Sequence, residues 1–201
     1  MNKRFIVALL LYLLGVQINA QTFDSQKDTY RKNYIHQFID TYKQAYQLMD
    51  IDYIETLFSE DALVITEGNK ISKVQEQNTF KNVTLGNKNE YERIIENKAQ
   101  YLSRLKKIFK DNIAIRLSLA NLKIHPHIDY PEIYGVSFLQ VWKSMEDSSI
   151  SIEDNFPGYI FMMIDFKNGD DSPIIHVRTW QPEDHIKEPK DIYHLYDFVI
   201  L

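Results

Sequence analysis

Between Tyr30 and Met49 the apolar residues recur every three or four positions: Tyr30, Tyr34, Phe38, Tyr42, Ala45 and Met49, with Ile35, Ile39 and Tyr46 widening the stripe. This period lays one apolar face along a first helix. A short second helix is expected next, with Asp52 as N-cap, Glu55 three residues on, and Ile51, Ile54, Leu57 and Phe58 as its inner face. Asp61–Thr66 (DALVIT) then has the composition of a strand, ending at Glu67-Gly68. Residues 68–88 are polar, contain Gly68 and Gly86, and read as a hairpin or loop. Asn89 with Glu92 predicts the cap of a third helix whose inner stripe is Tyr91, Ile94, Ile95, the Lys98 stem, Leu102, Leu105 and Phe109.

Four strands are predicted after it, near Ala114–His125, Tyr134–Lys143, Tyr159–Phe166 and Ile174–Gln181. Turn-rich stretches part them, such as His125-Pro126-His127 and Asn168-Gly169-Asp170-Asp171. Pro182 cannot donate to a ladder and stops the last strand. Helices first and strands afterwards is the order of an α+β domain rather than an alternating α/β one. The expected layout is one domain over residues 21–182, with 183–201 as an extension that turns apolar (YHLYDFVIL) and packs back on the body.

The first twenty residues change the picture of where this domain works. Lys3 and Arg4 precede a near-continuous apolar run from Phe5 to Val16, and a short polar stretch ends at Ala20, the three parts of a cleavable signal peptide. The run is too short to span roughly 30 Å of hydrocarbon. The expectation is therefore export, to a periplasmic or extracellular location, with no stable membrane span after cleavage. There is no cysteine, so stability must come from the core, which 44% apolar content can build. Losing Lys3 and Arg4 leaves 21 basic against 28 acidic residues, a net charge of −7 that disfavours nucleic acid as a partner.

The stretch Phe38–Gly68 (FIDTYKQAYQLMDIDYIETLFSEDALVITEG) resembles the first half of the cone fold shared by nuclear transport factor 2, ketosteroid isomerase and polyketide cyclases. YGVSFLQVWKS, GYIFMMIDF and PIIHVRTWQP are similar to an exported bacterial branch of that superfamily, so the likeness covers roughly residues 30–182. It implies three N-terminal helices packed on a curved antiparallel sheet, a cystatin-like cone. One fold hosts many chemistries, so function must be argued from the site.

Ketosteroid isomerase chemistry needs a carboxylate base and an oxyanion hole inside an apolar cone. In the resemblance, Tyr42 falls where the oxyanion-binding tyrosine stands, but the general-base aspartate falls on Thr66, whose hydroxyl has no useful basicity near neutral pH. With Phe166 matched to the family's late-strand phenylalanine, the protonated acid of the oxyanion hole falls on Met162. The isomerase mechanism is therefore not carried over, and no catalytic residue is assigned.

Candidates for lining a ligand pocket are the helix-one aromatics Tyr34, Phe38 and Tyr42, with Trp142, Asp165, His176, Arg178 and Trp180 from the strands. His176, Arg178 and Trp180 alternate on one strand face, with Gln140 and Trp142 available on another strand, so the imidazole and guanidinium could orient a polar group within aromatic walls. The competing reading puts them on an outer sheet face or a dimer contact. Asp165, between Ile164 and Phe166, is either a buried acid or the polar end of its strand. His125 and His127 match no metal-ligand spacing, and no metal or other cofactor is expected. There is no phosphate-binding glycine loop and no nucleophile elbow.

Thirteen tyrosines, eleven phenylalanines and two tryptophans, set against the missing base, favour a non-catalytic domain that binds a small apolar ligand or a protein partner. Two readings stay open beside it. One is an isomerase, lyase or hydrolase using Asp165, Glu67 or His176 as base; the other is a module that forms homodimers through its sheet.

Overall fold

The computed structural model describes residues 3–68, 92–145 and 154–198. It divides into two compact units, Met1–Phe38 and Ile39–Leu201. The first is the greater part of helix α1 (Lys3–Gln47); in it Lys32 donates to Asp28 one turn earlier at 2.7 Å, and the Tyr30 and Tyr34 rings lie 6.4 Å apart. No helix among the described residues is long and apolar enough to cross a membrane.

The second unit begins with the last turns of α1. Met49, at φ 54, takes the left-handed conformation that closes a helix, and the Asp50 N–H donates to the Ala45 carbonyl at 2.9 Å. Helix α2 (Ile51–Thr56) is capped by Asp50, whose side chain accepts from the Tyr53 N–H at 3.0 Å. The cap is thus two residues earlier than expected. Asp52 sits in the first turn, where a negative charge suits the exposed N–H groups.

The larger correction concerns the third helix. Glu92–Asn97, expected within it, is strand β2, paired antiparallel with β1 (Phe58–Gly68) from Gly68↔Glu92 to Leu63↔Asn97. Helix α3 (Lys98–Asp111) starts only afterwards, under a capping box in which Asn97 accepts from the Gln100 N–H at 2.9 Å and the Gln100 side chain accepts from the Asn97 N–H at 3.0 Å. Asn89–Glu92 and Asn97–Gln100 carry equivalent cap signatures. The unpaired edge of β1, which gains a ladder of hydrogen bonds by recruiting Glu92–Asn97, decides between them. The polar loop read over residues 68–88 lies, beyond Gly68, outside the described residues.

The remaining strands are β3 (Ala114–Pro126), β4 (Ile133–Met145), β5 (Asp154–Asp165) and β6 (Ile174–Pro182), all paired antiparallel in sequence order. The six-stranded sheet runs β2-β1-β6-β5-β4-β3. It is not antiparallel throughout: β1 and β6 lie parallel, with Val64 beside Arg178 and Thr66 beside Trp180. The α+β class holds, with a mixed sheet.

Because side chains alternate across a strand, this register sorts every residue to one of two faces. Val64, Tyr134, Val136, Phe138, Ile160 and Met162 turn to the helices. Leu63, Ile65, Ile133, Phe161, Met163 and Val177 turn the other way and form one cluster with Tyr193, Leu195 and Phe198. Those last three come from the C-terminal segment, which folds through the short turns Glu183–His185, Pro189–Asp191 and Leu195–Asp197.

Candidate functional site

On the helix-facing side, β6 carries Arg178 under the end of α1. Its Nε donates to the Tyr42 hydroxyl at 3.2 Å, and Tyr42 in turn donates to Gln140 Oε1 of β4 at 3.4 Å. Tyr46, one turn along α1, shares a 2.5 Å hydrogen bond with Tyr101 of α3, and the Arg178 guanidinium lies 5.5 Å from the Tyr101 ring centre. Tyr42, Tyr46, Tyr101, Gln140 and Arg178 are all buried. Burial pushes the Tyr42 and Tyr46 phenols above their ordinary range, so both are neutral. Burial also works against the Arg178 charge, but the oxygens of Tyr101, Tyr42 and Tyr46 outweigh it and the guanidinium stays charged.

Aromatic rings close in around this group. Tyr42 lies 4.5 Å from Tyr46 and 6.3 Å from Phe138; Tyr46 meets Trp142 at 6.2 Å and Phe109 at 6.4 Å, both edge-on. Of the candidate residues, Tyr42 and Arg178 touch directly, and Trp142 is one ring away. Trp180 shares the Arg178 face but packs over the backbone of Gly158. Tyr34 and Phe38 belong to the N-terminal unit. Asp165 and His176 pair with each other at the opposite end of β6: Oδ2 and Nε2 are 3.2 Å apart, while Oδ1 accepts from the Lys167 N–H at 2.7 Å. Tyr101 was missing from the sequence-derived stripe, although it falls three residues after Lys98 and four before Leu105.

Glu67, one residue beyond Thr66, points to the other face and is 2% exposed. There it receives the Tyr193 hydroxyl at 2.8 Å, with Arg93 Nε at 3.5 Å and His185 Nδ1 at 3.6 Å. Gln181 ties the same segment down twice, accepting from the Tyr193 N–H at 2.9 Å and donating to the Asp191 carbonyl at 3.1 Å. Burial first, and then the Glu67 charge, hold the Tyr193 phenol well above its usual range. Nothing local flagged this clasp, since Glu67, Gln181 and Tyr193 are far apart in sequence.

Two clefts open where the C-terminal segment crosses β3 and β4. One, of about 390 Å³, is mostly apolar and is lined by Pro126, Ile128, Phe161, Leu195 and Tyr196 with His125 and His194. The other, of about 520 Å³, is lined by Leu122, Tyr159, Ile186 and Ile192, with Lys123 and Lys187 among its polar residues. Ser137 of β4 borders both. None of the eight candidate residues lines either one. The apolar cleft continues onto an exposed ring cluster in which His127 lies 5.0 Å from Tyr130 and 5.4 Å from Tyr196.

No family model matches the chain, and no curated protein matches it. Solved structures do. A scytalone dehydratase-like protein from Novosphingobium aromaticivorans superposes at TM-score 0.57 with 11% identity, over 79% of this chain and 87% of its own. A nuclear transport factor 2-like protein of unknown function from Pseudomonas putida superposes at 0.50 with 14% identity, over 73% and 82%. The chain also matches Bdellovibrio bacteriovorus Bd1075 at TM-score 0.49 and 17% identity, spanning 39% of that protein's length. The fold is the nuclear transport factor 2-like cone.

Proposed function

We propose that this chain is an exported, non-catalytic binding domain that takes a small apolar or amphipathic ligand in the groove between its C-terminal segment and strands β3 and β4. The observation that carries the reading is the pair of clefts meeting at Ser137. An apolar one is of a size suited to a small molecule, and its neighbour is rimmed by Lys123 and Lys187. Such a groove suits a chain with an apolar body and a polar or anionic end.

The chemistry beside Tyr42 supports binding over catalysis. The side chains hydrogen-bonded to it are Gln140 and Arg178, and neither is a base near neutral pH. Glu67 faces the other side of the sheet and holds the C-terminal segment, while Asp165 and His176 are paired at a strand end.

The test is a titration of the labelled protein with decanol and decanoate, followed by NMR and calorimetry. Shifts should concentrate at Gly135, Ser137, Leu195 and Tyr196. Ser137→Phe, whose ring fits a strand and fills the shared wall, should weaken binding by about tenfold or more, roughly 1.4 kcal/mol. No saturable shifts in the native protein, or unchanged affinity in a folded Ser137→Phe variant, would refute the groove.

A further inference from the structure

Strand β3 carries a break in its register where it borders the groove. Ala120 stands opposite Leu139 and Lys123 opposite Ser137, so Asn121 and Leu122 together face the single residue Phe138. This is a β-bulge, and it is built on Asn121, which takes the left-handed conformation at φ 58. Asparagine enters that region more readily than most side chains, yet still at some cost. One inserted residue reverses the face that every later side chain takes. In an unbroken ladder Leu122 would lie opposite Ser137, and Lys123 would turn toward the helices. With the bulge, Lys123 and His125 turn to the strap side, beside Ser137 and Gly135. Lys123 thereby joins the wall of the larger cleft, and His125 that of the apolar one.

Lys187 reaches the larger cleft from the C-terminal segment. Its turn is held by Asp191, whose carboxylate accepts from the Lys187 N–H at 3.1 Å and the Glu188 N–H at 2.9 Å. Glu188 lines the cleft as well, but it lies 2.7 Å from Lys190, which meets its charge. Among the described residues no carboxylate pairs with Lys123. In a chain of net charge −5, this cleft is a local reversal of sign.

We propose that the groove selects anions. Its ligand is a single-chain amphiphile whose negatively charged head lies against Lys123 and Lys187, while the tail runs past Ser137 into the apolar cleft. Lys123, turned inward by the bulge at Asn121, is the residue that sets the preference. This charge selection rests on the groove reading above and adds the sign of the head and the direction in which the chain lies. A carboxylate or a phosphate head satisfies the same ammonium groups. Both lysines stand at the rim within reach of water, so the discrimination is modest and salt weakens it.

The experiment compares decanoate, decyl phosphate, decanol and decyltrimethylammonium on the full-length protein by calorimetry and amide NMR. Both anions should bind about fivefold more tightly than decanol at low salt, a margin that shrinks as salt is raised. The cationic chain should bind most weakly. The tighter of the two anions identifies the head group. The anions should also shift the Lys123 and Lys187 amides beyond what decanol does. Lys123→Gln should remove most of the anion preference, whereas Lys110→Gln, which takes the same charge from helix α3, should keep it. Anions that bind no better than decanol, or a cationic chain that binds as tightly, overturn charge selection and leave the groove standing. An anion preference that persists in Lys123→Gln overturns the role of Lys123. If no chain saturates the native protein, the groove and its charge selection fall together.

Discussion

On one side of β6, Arg178 sits among rings from two helices; on the other, Val177 and Gln181, one and three residues away, meet the C-terminal segment. Both faces exclude water, yet they do so differently. The helix-facing side is filled by large rings in edge and tilted contact, with polar atoms threaded between them as a short chain, Arg178 to Tyr42 to Gln140. The other side is covered by a single strap, clasped at Glu67 and Gln181, and because a strap covers a sheet incompletely, clefts remain along its edge. Charge follows the same division. The strap side buries an acid, Glu67, with Arg93 and His185 around it, whereas the helix side buries Arg178 against the Tyr42 hydroxyl. Helices bring many side chains to one place and leave little room, while a chain segment brings few and leaves space at its margins.

Two glycines, one per face, allow the sharpest break of this comparison. A Cβ on Gly158 would run into Trp180 Nε1 and stand 2.7 Å from the Gln181 carbonyl oxygen, where backbone cannot give way. Gly158→Val should therefore cost about 3 kcal/mol in chemical denaturation. A Cβ on Gly135 would meet Leu195 Cγ at 2.6 Å, on the strap. Gly135→Val should cost less, about 2 kcal/mol, and should selectively speed amide exchange over Tyr193–Phe198. Equal costs with unchanged exchange would mean that the strap is as rigid as the helix side.

Removing the clasp comes next. Glu67→Ala leaves the buried donors of Tyr193 and Gln181 without their acceptor, and about 2 kcal/mol should be lost. Tyr193→Phe removes one donor and should cost about 1.5 kcal/mol. Amide exchange should show both losses in the strap before the helix-facing core.

Alkaline pH probes both faces together. Tyr42, Tyr46 and Tyr193 have folded pKa values above the unfolded value near 10, so their contribution is complete below about pH 10 and is lost as pH rises beyond it. Each phenol that ionises only on unfolding adds about 1.4 kcal/mol of lost stability per pH unit. Urea titrations from pH 9 to 11.5, a range set by the reference tyrosine value of about 10, should show a shallower slope in Tyr193→Phe than in the native chain. The smallest effect is expected at the end of β6. His176 is partly exposed, its pair with Asp165 lies at the rim, and His176→Ala should change stability by no more than about 0.5 kcal/mol.

Local pattern was enough to read much of this protein. The helix stripe through Tyr42 and Tyr46, the α+β order and the last four strands follow from periodicities of 3.6 and 2, which depend on residues close in sequence. Tyr42 and Arg178 both stand among the pocket candidates, one as a helix-one aromatic and the other through its alternation with His176 and Trp180, but their direct contact is not legible in the sequence. What the chain alone left undecided has a common cause, the pairing of distant segments. Glu92–Asn97 became a strand because β1 offered a free edge, and β1 aligned parallel to β6 because of where the two strands enter the sheet. Glu67 turned from a candidate base into a clasp because Tyr193 arrives from a distant segment. That Arg178 is buried against the Tyr42 hydroxyl is likewise a property of packing: which side chain a charge meets depends on what the fold brings within reach, and composition does not record that distance.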